Sequence, residues 1–134
     1  MKTEITTTGI TALIAFICSY LQILVMQNAE QFLAVISVMF LDGVLGIIAG
    51  TKIEGFKTKK AISLLKNTAV WVCILATILI VERGFSVGWL SETFILPFVV
   101  FQLISALKNA ARAGYIKNEL LQIIMRNVDK HKPV

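Results

Sequence analysis

Asp42 is an acid set inside an apolar run, QFLAVISVMFLDGVLGIIAG, from Gln31 to Gly50. An ionised carboxylate at membrane depth costs at least ~2.5 kcal/mol on insertion scales, so it persists only where it faces protein, water or a cation. Two roles are open to it. It lines a pore or a helix interface, or it is a structural acid paired with Lys66 or with a hydroxyl in a helix bundle. Lys66 lies near the start of another apolar block, and its long stem also lets it snorkel to the headgroups. Gln102 and Ser105 are polar positions in a further apolar block, suited to hydrogen bonding between helices, and the pattern continues through Lys108, Asn109 and Arg112. Gly43, Gly46 and Gly50 share the Asp42 run. Gly46 and Gly50 form a small-xxx-small pair that lets a second helix approach closely.

These residues do not form a catalytic set. No Ser/His/Asp arrangement, phosphate-binding loop or metal-ligand spacing is present, and the glycines of GVLGIIAG do not follow a strand. Cys18 and Cys73 lie inside apolar blocks without a CxxC, and the single His131 is in the tail. Both thiols read as small apolar side chains. The chain is expected to be no enzyme and to need no cofactor and no metal.

The elements that position these residues are membrane spans. Hydrophobic residues make up 57% of the 134, against roughly 45–50% in a soluble domain, and the excess is gathered in blocks. A hydrocarbon core of ~30 Å needs ~20 helical residues. Four blocks meet or approach that length, at about 9–26, 31–50, 61–82 and 89–108, and together they read as one domain over 1–134. Thr6, Thr7 and Thr8 precede the first block as candidate caps. That block is longer than a signal-peptide core of ~7–15 residues and no small-residue cleavage site follows, so it reads as an uncleaved span. The fourth block is the shortest and contains Pro97. Beyond Gly114, residues 115–130 place Ile116, Leu120, Ile123, Ile124 and Val128 at helical spacing with charges between them. This is an amphipathic basic helix suited to a membrane surface or a partner. The fold class is all-α, with about four transmembrane helices plus this tail.

Net charge is +5, and the bases flank the apolar blocks. Lys52, Lys57, Lys59 and Lys60 follow the second block; Lys117, Arg126, Lys130 and Lys132 lie in the tail. That placement fits anionic headgroups and topology better than nucleic acid, which is not expected as a partner. With four alternating spans, all bases but Arg83 fall on the side of the two termini. The positive-inside rule makes that side cytoplasmic.

Three stretches carry a family resemblance: FLDGVLGIIAGTK (40–52), GFKTKKAISLLKNTAV (55–70) and FQLISALKNAARAG (101–114). The last is the most specific, with Ile104, Ser105, Asn109, Ala110 and Gly114 in register. The chain resembles the bacteriophage holins of the toxin secretion/phage lysis type, known as phage holin 4. Members usually carry acids around the Ile-Ser motif, where this chain has Gln102 and Lys108. The resemblance implies a homo-oligomer in the bacterial cytoplasmic membrane that opens holes, depolarises the cell and lets a cell-wall hydrolase (endolysin) cause lysis. The residues themselves leave open a small four-span multidrug-type transporter, although such chains carry an essential Glu in the first span and this one has no acid there. A non-pore accessory subunit is the other alternative.

Overall fold

A computed structural model describes residues 1–131, so Lys132 lies outside the described residues. The described chain is helical almost throughout: α1 (Lys2–Gln27), α2 (Ala29–Glu54), α3 (Thr58–Phe85), α4 (Leu90–Arg112) and α5 (Asn118–Lys130). The first four are long and apolar enough to cross a membrane. This all-helical architecture of four spans and a short C-terminal helix is the expected one.

The spans are longer than the apolar blocks, because a helix continues into polar sequence while its backbone bonds remain satisfied. α1 begins at Lys2, so Thr6, Thr7 and Thr8 are inside it and cap nothing. Their hydroxyls donate instead to the carbonyls of Lys2, Thr3 and Glu4 at 2.7–2.9 Å. Threonine in a helix commonly bonds back one turn in this way, which satisfies the hydroxyl without a partner helix. The polar turn between α1 and α2 contracts to Asn28, whose amide Nδ2 donates to the Leu24 carbonyl at 2.9 Å.

α2 is the central helix, packed against α4 and α3. Val35, Val38 and Met39 of α2 are buried. They join Leu24, Phe32, Leu75, Leu79, Ile95 and Phe98 in the core. Trp71 of α3 stacks on Phe98 of α4, with ring centroids 3.6 Å apart. α1 is peripheral, and Leu24 is its one buried residue.

Side chains tie the helix ends. At the end bearing the α1–α2 and α3–α4 turns, the Arg83 guanidinium donates to Gln27 Oε1 at 2.6 Å. The Glu82 carboxylate accepts from the Ser91 backbone N–H in the first turn of α4, where negative charge meets the positive end of the helix dipole. α4 runs continuously through Pro97, two turns in from its start. It ends at Gly114 (φ 89°). There the Tyr115 N–H bonds the Ala110 carbonyl and the Gly114 N–H bonds that of Ala111, a Schellman termination that needs the left-handed conformation.

Candidate functional site: a polar cleft between three helices

Asp42 points from α2 toward α4, and its partner is an amide. Asn109 Nδ2 donates to Asp42 Oδ1 at 2.8 Å and reaches the Asp42 backbone carbonyl at 3.4 Å. Both residues are half-buried. A cleft of about 290 Å³ opens beside this pair, bounded by Asp42, Lys60, Ser63, Asn67, Gln102 and Asn109. Six polar side chains from α2, α3 and α4 therefore share one cleft, with Asp42, Gln102 and Asn109 half-buried and Lys60, Ser63 and Asn67 exposed. Its volume accommodates several water molecules.

Gly43 and Gly46 of α2 form the floor of the cleft, and Gly50 lies one turn beyond it. A Cβ at Gly46 would stand 3.2 Å from Asn109 Nδ2, and one at Gly50 would stand 2.9 Å from Lys60 Nζ. At Gly43 it would run into the Leu64 side chain, 2.8 Å from Cγ. The small-residue face of α2 is thus covered by α3 and α4 of the same chain. Close approach is what such residues permit, and here it brings Asn109 within reach of Asp42.

The residues singled out from sequence are only partly gathered here. Asp42, Gln102, Gly43 and Gly46 line the cleft. Ser105 is half-buried on α4 outside it. Lys66 is exposed and does not line it. The α3 lysine that does is Lys60, whose Nζ also lies 3.8 Å from Glu54 Oε2, while Lys57 pairs with that carboxylate at 3.1 Å. Ser63 and Asn67 are not among the residues the sequence singles out, and Asn109 is there only as part of the polar pattern that follows Gln102. Asn109 had a signal, since it lies seven residues, or two helical turns, beyond Gln102 on one α4 face.

The basic residues divide. Lys52, Lys57, Lys59, Lys60, Lys117, Arg126 and Lys130 are all exposed. Lys52 has a local task as well. Its ammonium donates to the Ala113 carbonyl at the end of α4 and stands 6.0 Å from the centre of the Tyr115 ring. A cation at a helix C-terminus contributes about 0.3–1 kcal/mol at exposed sites. Lys52→Met should therefore speed amide exchange at Gly114 and Tyr115 several-fold in detergent micelles, with the core of α4 unaffected. Unchanged exchange would remove Lys52 as a clamp on this turn.

Among the described residues no group of His, Cys, Asp and Glu is placed to hold a metal ion. Cys18 and Cys73 are free, exposed thiols on the apolar surface of α1 and α3. A family model described as "Bacteriophage holin family" matches residues 19–130 of the chain, which includes the whole cleft. No curated protein and no solved structure matches significantly.

Proposed function

The chain belongs to the bacteriophage holin family, and we propose that it oligomerises in the bacterial cytoplasmic membrane and opens holes there. Holins are non-enzymatic membrane pore formers that act in phage lysis, and this chain is a multi-pass membrane protein with four candidate spans. On our reading its holes depolarise the membrane and give an endolysin access to the cell wall. The observation that carries this reading is the family match across α2, α3 and α4 together with the polar cleft those helices border. A carboxyl, three amides, a hydroxyl and an ammonium along one open cleft, with Asp42, Gln102 and Asn109 half-buried and Lys60, Ser63 and Asn67 exposed, provide a surface that water can wet. The Asp42–Asn109 hydrogen bond holds α2 to α4, and the close approach that Gly43 and Gly46 allow lets the two helices make it.

Inducible expression in a bacterium tests the function. The expected result is normal growth, then an abrupt loss of membrane potential, with lysis only when an endolysin is co-expressed. Sustained potential with resistance to cationic drugs would favour the transporter reading instead.

The proposed orientation has both termini in the cytoplasm, which places twelve of the thirteen Lys and Arg residues inside or at the inner edge. Reporter fusions at Gln27, Gly55, Ser86 and Val134 should read out, in, out and in. A reporter at Val134 active only outside the cytoplasm would overturn the arrangement.

A further inference from the structure

α5 is folded back along α4, at a depth where its charged face cannot rest against lipid. Ile124 and Val128 of α5, with Ile116 of the turn before it, close an apolar groove with Leu41 and Leu45 of α2 and Leu107 of α4. Farther along, Val128 and His131 share a second apolar space with Leu96, Pro97 and Phe101. Pro97 is about 22 Å from Arg112 at the rise of an α-helix, so the end of α5 reaches deep into a hydrocarbon core of ~30 Å. The side turned away from the groove carries Glu119, Arg126 and Lys130, with Asp129 at its edge, all exposed, and Leu120 and Ile123 are exposed beside them. Charged side chains at membrane depth face protein or a water-filled space, not lipid.

The attachment is also loose. No residue of α5 is fully buried, and the two apolar spaces beside it measure about 490 and 560 Å³. The turn that carries it has Gly114 at φ 89° and is held by Lys52. An element with few buried contacts on a short turn is a natural two-position element.

We propose that α5 lines the aqueous lumen of the assembled hole. Before assembly it lies on the cytoplasmic membrane surface, apolar face down, where an amphipathic basic helix is stable. On opening it takes the docked position, with Ile124 and Val128 in the groove between α2 and α4 and Glu119, Arg126 and Lys130 toward water supplied by the ring of subunits. This inference rests on the hole-forming reading above and adds which residues meet the water.

The test is a cross-link and a conductance. In a Cys18→Ser, Cys73→Ser background, Phe101→Cys and Val128→Cys place thiols on two sides of the docked groove; Phe101→Cys with Asn118→Cys is the distant control. With a short bifunctional thiol reagent, the Phe101–Val128 cross-link should rise several-fold at the moment of depolarisation, and the control should not. Protein cross-linked in advance should depolarise the membrane at or before the usual time. In planar bilayers, Arg126→Glu with Lys130→Glu should change the anion-to-cation permeability ratio by about threefold or more, as charged rings do in pores. A cross-link that never forms, one equally abundant before and after opening, a locked chain that keeps the membrane tight, or an unchanged permeability ratio would each overturn the proposal. If the parent chain itself never depolarises the membrane, the hole-forming reading fails. If the parent opens and only these outcomes appear, the placement of α5 alone fails.

Discussion

Asn109→Leu should destabilise the bundle by about 1–2 kcal/mol, whereas Asp42→Asn should cost less than about 1 kcal/mol. The asymmetry follows from what each change leaves behind. Leucine at 109 removes the donor and strands a half-buried acid, and an unsatisfied buried polar group costs more than a hydrogen bond contributes. Asparagine at 42 still offers a carbonyl oxygen to the Asn109 amide 2.8 Å away, and neutral bonds between membrane helices are worth only ~0.6 kcal/mol on average. Asp42→Leu with Asn109→Leu should recover most of the loss, since both polar groups leave together. Denaturation in mixed micelles measures the stabilities, and depolarisation time in cells measures the gate. Each single change should shift the time of opening, because the docked α5 uses the groove that α2 and α4 build together. Additive effects in the double-mutant cycle, or wild-type timing in all three variants, would mean that Asp42 and Asn109 are neighbours without function.

Gly43→Ala should cost about 1–3 kcal/mol, the usual range for forcing extra volume into a packed interior. The new methyl meets Leu64 at its branch carbon as well as its ends, so the leucine has to change rotamer or α3 has to move away. Leu64→Ala in the same chain should restore much of the stability by emptying the space the methyl needs. The three glycines should grade in order. Gly46→Ala presses on Asn109 Nδ2 at 3.2 Å, an atom held in place by Asp42, and should cost less than Gly43→Ala. Gly50→Ala meets only the end of Lys60, which swings aside, and should be nearly silent. Stability in micelles at fixed protein concentration, compared across a dilution series, separates packing within the chain from association between chains. Equal effects at Gly43 and Gly50, or no rescue by Leu64→Ala, would place the glycine face against another copy or against lipid.

The four spans were legible in the sequence because lipid imposes one demand, enough consecutive apolar residues to satisfy every backbone group inside the helix. The acid at position 42 was legible as a polar interior position for the same reason. The helix limits were less so: a hydropathy block marks where lipid begins, not where hydrogen bonding stops, and α1 takes in Thr6, Thr7 and Thr8 as ordinary helical residues.

What only the tertiary structure decided is which side chains meet. Lys60 and Lys66 lie on one helix of one charge, yet six residues at about 100° each set them roughly 240° apart around the axis. Only the rotation of α3 against α2 puts Lys60 in the cleft and leaves Lys66 exposed. The rotation and register of α4 likewise give Asp42 an amide from 67 residues away. The small-residue stripe promised a close neighbour without naming it, because glycine permits approach and attracts nothing in particular. α5 shows the same limit. Of its apolar period, Ile124 and Val128 meet the groove between α2 and α4 while Leu120 and Ile123 stay exposed, a division no local pattern could specify, because that groove exists only once separate helices are packed.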